Sequence, residues 1–398
     1  MDLAKPMTNN NYKKIALKIR DAAKSVAEET MKDAIKELKE SNHKDETNTI
    51  DIAASLDGTF QKRGYSSLNG IVSAISMDNG KVIDTVPMTR YCKSCIGREE
   101  LKKENPGEYE KWKVNHKCPK NHSGSAGAME VTGAKQIFER SIEKHGVRIT
   151  QFYGDGDSKS YDSVKETYEG ITVEKMECVG HVQKRVGTRL RNLKQKNKAL
   201  GGRGKLTNSV IDRLQNYYGI AIRSNIGNLS GMKNGVLASL FHVASSKEHL
   251  YHSYCPEGEN SWCNFNKDKV TGQSTHKHGP GLPVSVIAKI KPIYKDLSSD
   301  ELLNKCLHGK TQNHNECLNG MIWERLPKTR FCSLVQLELG VYDAIANFNI
   351  GRKASVLIYE KLGVCPGKNM LCGSKRLNRK RLVFLCTRTP PQSKGEQK

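Results

Sequence analysis

The sequence predicts a mixed α/β fold, a five-stranded sheet with flanking helices that is interrupted by two insertions. Three observations support this. Short apolar stretches with a period of two alternate with stretches whose apolar residues recur every three or four positions. Two of the short stretches end in an aspartate followed by glycine, Asp57-Gly58 and Asp155-Gly156. A cysteine- and lysine-rich segment, and later a long helical one, break the alternation and so read as insertions into a core.

Taken in order, Ile15, Ile19, Ala22, Val26, Ile35 and Leu38 recur at helical spacing between Tyr12 and Lys39, with lysines and glutamates opposite. A long amphipathic helix is therefore expected within residues 1–47. Ile50, Ile52, Ala54 and Leu56 alternate with Asp51, Ala53, Ser55 and Asp57, the pattern of a strand that delivers Asp57 at its far end. Gly70 to Met77 and Lys81 to Met88 flank Asn79-Gly80, a dipeptide suited to a tight hairpin, so residues 48–89 form the first part of the core. Residues 90–127, with cysteines, lysines, Pro106 and Pro119, read as an insertion. Residues 128–178 return to the core: a helix over Met129 to Ile142, a strand over Val147 to Tyr153, a helical stretch over Lys159 to Tyr168 and a fifth strand over Ile171 to Met176. Residues 179–308 are mainly helical, residues 309–362 carry two more helices of the core, and residues 363–398 form a basic tail expected to be flexible.

The chain of 398 residues has 65 lysines and arginines against 42 acids, a net charge of +23. Such a surplus attracts a polyanion, and nucleic acid is the first partner it implies. No run of about 18 apolar residues exists and mean hydropathy is −0.62, so nothing is expected to span a bilayer and the protein reads as soluble. Twelve cysteines are too dilute for a disulfide scaffold, and the start, Met1 to Pro6, lacks the apolar stretch of a secretion signal, so the thiols are expected to be reduced.

Their spacing points to zinc, at one or two structural sites. Cys92-x2-Cys95 and Cys118-x3-His122 fall in the first insertion, which is too polar to bury a core; His116 is an alternative to His122. A second site would join Cys178 and His181 to Cys255 and Cys263, with His252 as a competing ligand; the bland alternative is a set of small buried side chains. Between Lys184 and Lys205 nine lysines and arginines occur without an acid. Lys184, Arg185, Arg189 and Arg191 open this stretch, which fits phosphate contact or else a solvated basic face. Arg63 and Lys159, each just after an acid-ended strand, are further phosphate candidates, and Lys375 to Arg381 fits a nuclear-localisation patch.

Metal-assisted phosphoryl transfer needs carboxylates that hold two divalent ions, and strand ends suit this because they fix the acid while the adjoining loop leaves room for phosphate. Asp57 and Asp155 meet that description, with Asp157 as a rival to Asp155, and Glu316 lies at the start of a predicted helix. On residue type alone, each is equally a solvated carboxylate, a helix cap or a turn residue. The order of motifs narrows the choice. Leu56-Asp57-Gly58-Thr59-Phe60-Gln61-Lys62-Arg63-Gly64-Tyr65, Gly154-Asp155-Gly156-Asp157, Glu177-Cys178-Val179-Gly180-His181 and Thr311-Gln312-Asn313-His314-Asn315-Glu316 together resemble the Mutator-like transposase domain of animal mobile elements, over about residues 48–351.

The resemblance implies a ribonuclease-H-like core in which Asp57, Asp155 and Glu316 are the catalytic acids and bind two magnesium or manganese ions. It implies a large helical insertion before the helix that bears the catalytic Glu. It also implies hydrolysis of a phosphodiester at the end of the element, strand transfer to target DNA, double-stranded DNA as partner, a nuclear location and assembly as a homodimer or higher oligomer. A domesticated DNA-binding protein and a ribonuclease-H-like nuclease are the competing readings.

Overall fold

The computed structural model describes residues 7–42, 49–62, 66–154 and 159–388, with side chains as far as residue 381. The expectations for Arg63, Asp155 and Asp157 therefore fall outside the described residues.

Helix α1 (Asn9–Ser41) opens the described chain, capped by the Thr8 hydroxyl, and leads to strands β1 (Ile50–Phe60), β2 (Asn69–Ser76) and β3 (Val82–Thr89). Both consecutive pairs are antiparallel, and Gly80 turns the second hairpin at φ +68°, a value that favours glycine. The first insertion contributes only short helices, α2 (Lys93–Ile96), α3 (Glu99–Glu104) and α4 (Pro106–Asn115). Helix α5 (Ala126–His145) and strand β4 (Val147–Gly154) follow, then α6 (Lys159–Asp162) and β5 (Glu174–Glu177). The five strands form one mixed sheet of order β3-β2-β1-β4-β5 with helices beside it, the ribonuclease-H-like arrangement expected from the sequence.

The second insertion is helical: α7 (Val179–Lys196), α8 (Asn208–Arg223), α9 (Leu229–Ala244), α10 (Asn264–Thr271), α11 (Val284–Leu297) and α12 (Asp300–Asn304). Helices α13 (Asn313–Arg325), α14 (Leu334–Ile350), α15 (Lys353–Lys361) and α16 (Lys368–Arg388) complete the described chain. Two compact units result. One holds Met1–Phe152, Lys159–Glu174 and Asn313–Lys398, the other Tyr153–Ser158 and Lys175–Gln312.

In the first unit the sheet is covered on both faces, which is why β2 is buried at every position. Ile71 and Ile75 face a core built by α1, α13, α14 and α15, whereas Val72 and Ala74 face one built largely by α5. The second unit has its own core, in which Val182, Val186 and Leu190 of α7 pack with Ile211, Leu214 and Tyr218 of α8. Apolar residues at three- and four-residue steps on both helices produce that face.

Three sequence expectations need correction. The fifth strand starts three residues late, because Gly170 turns the chain at φ +70° and Tyr168 pairs with Ile171 across that turn. The helix over Lys159 to Tyr168 is a single turn, α6, and residues 163–166 form turns. The basic tail is helical from Lys368 to Arg388 rather than loose: Arg381 donates to the Asn347 and Phe348 carbonyls at the end of α14, and Asn378 accepts the Arg352 N–H. A cation there meets carbonyls that a helix C-terminus leaves without partners.

One buried charge anchors β3 to α5. Asp84, 1% exposed, accepts two hydrogen bonds from Arg140, at 2.6 and 2.8 Å, and one from Lys144 at 3.1 Å. Burial alone would raise its pKa; the His145 ring nitrogen, 3.5 Å away, and the Arg140 and Lys144 cations outweigh burial and hold the carboxyl well below the usual range. A depressed folded-state pKa stabilises the fold above the unfolded value, about 3.9, and that stability is lost as pH falls through the folded value. Asp84→Asn is expected to cost about 2–3 kcal/mol near neutral pH, at or below the lower end for a broken buried pair because Arg140 and Lys144 are partly solvated. Thermal melts of the two proteins should converge as the pH drops below about 4.

Candidate functional site

Strand β1 and helix α13 are joined by three polar contacts in step. Asn315 donates to the Ser55 carbonyl at 3.4 Å, Asn319 to the Asp57 carboxylate at 2.6 Å, and the Trp323 indole N–H to the Thr59 hydroxyl at 2.7 Å. Every fourth helix residue meets every second strand residue. Four helical residues rise about 6.0 Å and two strand residues about 6.6 Å, so the two spacings nearly coincide. On β1, Ile50, Ile52, Ala54 and Leu56 go into the apolar core, which turns the side chains of Asp57 and Thr59, in the alternate set, towards α13.

The ladder brings the helix carrying Glu316 against the strand carrying Asp57. Glu316, exposed in the first turn of α13, follows the first rung, Asn315, and precedes the second, Asn319, by three residues, so it shares a helix face with Asn319. Two polar groups at this site escaped the sequence reading. Asn319 is one; its only signal is the four-residue spacing from Asn315. Glu130 of α5 is the other. It accepts a hydrogen bond from Ser160 at 3.2 Å, and a methyl group on Gly58 would lie 2.7 Å from its Cγ. Gly58, having no side chain, thus admits an acidic side chain beside the strand.

Four potential metal ligands gather in the first insertion: Cys92, Cys95, His116 and Cys118, with ligand atoms all within 4.8 Å of one another. Cys92 Sγ lies 3.1 Å from His116 Nε2, and Cys95 Sγ lies 3.6 Å from Cys118 Sγ. Tetrahedral zinc, with bonds of about 2.3 Å to sulfur and 2.0 Å to nitrogen, sets ligands roughly 3.4–3.8 Å apart, so the group is compatible with a zinc site. His116, not His122, is the histidine of the set; His122 is buried and its Nε2 sits 3.1 Å from the Ser125 carbonyl. Burial opposes ionisation of Cys92, but the Cys95 backbone N–H and His116 outweigh it and bring the thiol down to about 7. Burial, with Cys92 and Cys118 as neighbours, pushes Cys95 up to about 12. Three sulfurs crowded together without a cation cannot all ionise.

In the second unit, Cys255 and Cys263 are joined by His242 and His252 rather than by Cys178 and His181. Cys178 instead caps α7, and its sulfur accepts the Gln312 backbone N–H at 3.3 Å. Among the described residues, neither Cys178 nor His181 belongs to a group able to hold a metal.

A profile of the Mutator-like transposase family matches residues 1–263. The chain belongs to that family. A search of curated proteins found no match. The matched stretch includes Asp57, Asp155 and both cysteine groups, whereas Glu316 lies beyond it.

The chain's basic stretch is more neutralised than its sequence suggests. Arg185 donates to Glu177 at 2.6 Å with both side chains largely withdrawn from water, Arg189 pairs with Asp296 at 3.4 Å, and Arg191 pairs with Asp212. Acids remote in sequence supply the partners. The pairs of Arg189 and Arg191 are exposed, of a kind worth little, which a phosphate can displace; Arg185 and Glu177 form an internal tie. Lys159 is exposed at the start of α6. No helix among the described residues is long and apolar enough to cross a membrane.

The ladder predicts coupling. Trp323→Phe and Thr59→Val are each expected to cost about 1 kcal/mol, the net worth of one hydrogen bond, and the double variant little more than either alone. Denaturant melts of the four proteins measure this; strictly additive losses would show that the bond contributes nothing.

Proposed function

We propose that this chain is a DNA transposase that cleaves a phosphodiester at the end of a mobile element and joins the freed 3′-hydroxyl to target DNA. Asp57, Asp155 and Glu316 are its acids. The observation that supports the reading is the β1–α13 ladder in a chain of the Mutator-like transposase family: it packs the Glu316 helix on the Asp57 strand although the two lie far apart in sequence.

Carboxylate oxygens with an amide beside them suit hard divalent cations. Asp57, Asp155 and Glu316 would hold two magnesium or manganese ions, which supply the charge that activates the attacking oxygen and stabilises the leaving one. Asn319 orients the Asp57 carboxylate through its 2.6 Å hydrogen bond, and Thr59 and Trp323 hold the helix in register. Glu130, beside Gly58, adds negative charge near the same strand end. Its position favours cation binding, and phosphate then enters with the ions that neutralise these acids.

Double-stranded DNA is the partner, attracted by a chain of net charge +23. Arg189, Arg191, Lys184 and Lys159 are the phosphate contacts proposed here, with Arg63 as a further one. Lys375, Arg376, Arg379 and Lys380 form an exposed basic run on α16 that fits nuclear import. Pairing two element ends calls for at least a homodimer. Zinc at Cys92, Cys95, His116 and Cys118 orders the first insertion, where Tyr109 is the single buried residue of its three short helices.

Incubation with end-labelled element DNA and manganese tests the reading. Asp57→Asn and Glu316→Gln should each lower cleavage by at least about a hundredfold, while DNA binding persists. Equal cleavage by wild type and both variants would overturn the assignment of the acids. Binding measured against salt separates the arginines: Arg189→Ala and Arg191→Ala should each reduce the log–log salt slope by about 0.9. Arg185→Ala should leave the slope unchanged and lower the melting temperature.

A further inference from the structure

Residues 245–283, between α9 and α11, contain one short helix, α10, and little apolar substance. The small cluster at their centre consists of Ala238, Cys255 and Cys263, with Phe265 packed against it. A connection of this length without a core of its own is uncommon inside a compact domain. Its order needs another source.

We infer that the helical insertion carries a zinc ion of its own, held by His242, His252, Cys255 and Cys263, and that this ion takes the place of an apolar core for residues 245–283. Four ligand atoms converge: Cys255 Sγ lies 3.6 Å from His242 Nδ1 and 3.9 Å from His252 Nδ1, and Cys263 Sγ lies 3.4 Å from His252 Nδ1. Tetrahedral zinc with two sulfur and two nitrogen ligands requires sulfur–nitrogen separations of about 3.5 Å. His252, Cys255 and Cys263 are buried, so no water would complete the shell, as in structural rather than catalytic sites. On binding, each cysteine thiol gives its proton to solvent and the two thiolates neutralise the ion.

The second nitrogen of His252 fixes the tautomer. Nε2 lies 2.9 Å from Ser245 Oγ and 3.1 Å from His278 Nε2, so with Nδ1 on the metal its proton is donated outward, the usual arrangement behind a metal-bound histidine. His276 and His278 also gather with His252, as a rival group of three. A neutral imidazole protonated at Nε2 cannot bind a metal there, so the two groups exclude each other. The four-ligand group prevails because it is more buried and contains two thiolates, which bind zinc more strongly than imidazole alone. The ion ties the end of α9, through His242, to the loop of His252 and Cys255 and to Cys263 at the start of α10.

Zinc content of the purified full chain tests this, independently of any DNA chemistry. Wild type should hold two zinc ions, one for each cysteine group; Cys255→Ser or His242→Ala should hold one, and Cys178→Ser and His278→Ala should keep two. X-ray absorption of a Cys92→Ser/Cys118→Ser variant should show one zinc with equal numbers of sulfur and nitrogen neighbours. Where Cys255→Ser fails to fold, Cys255→His, which retains a ligand, should fold and keep the second zinc. A wild type with a single zinc that Cys92→Ser removes would overturn the inference. So would loss of zinc in Cys178→Ser or in His278→Ala, the latter assigning the ion to the three histidines.

Discussion

The bonding of α13 to β1 in matched steps is the constraint on which the proposed site depends. A helix advances about 6.0 Å in four residues and a strand about 6.6 Å in two, so the pair drift apart by roughly half an ångström per rung. Three rungs remain within hydrogen-bond tolerance; many more would not. The match is short, yet long enough to fix both the position and the rotation of the helix. Because Asn315, Asn319 and Trp323 face the strand, Glu316, three residues before Asn319, is carried on a helix face shared with the residue that bonds Asp57.

The surrounding structure makes that ladder possible by separating polar from apolar work within a single strand. The even-numbered positions of β1 are committed to the core against α5, so the odd-numbered ones carry the polar contacts. Asp84 ties β3 to the far end of α5 through Arg140 and Lys144, and Glu130, on the same helix, approaches Gly58. Helix α5 thus has one end held by a buried ion pair and contributes an acid near its other end.

The two insertions meet a common problem differently from the core. Each contains a stretch too poor in apolar residues to bury a core, and each gathers two or three cysteines and one or two histidines in a group compatible with zinc. Burying apolar surface stabilises in proportion to area, whereas a single metal ion contributes a large free energy from four side chains. Polar loops that leave the core can therefore be ordered without enlarging it.

The strands, the long helices and the insertions were legible because burial on two faces or on one stripe imposes a period, and a period is visible in one dimension. Cys92, Cys95 and Cys118 were legible from local spacing, as were Cys255 and Cys263. Partnerships were not. His116 and His122 are both close enough in sequence to serve, and only the path of the chain turns one to the sulfurs and the other to the Ser125 carbonyl. The arginines of α7 read as unpaired because Asp212 and Asp296 come from other helices. The sequence by itself determined which residue types stand where the strands end and which helices are amphipathic. Tertiary structure alone decided that His242 rather than Cys178 joins Cys255, and that Asn319 bonds Asp57, because such contacts depend on how elements pack and leave no periodic trace along the chain.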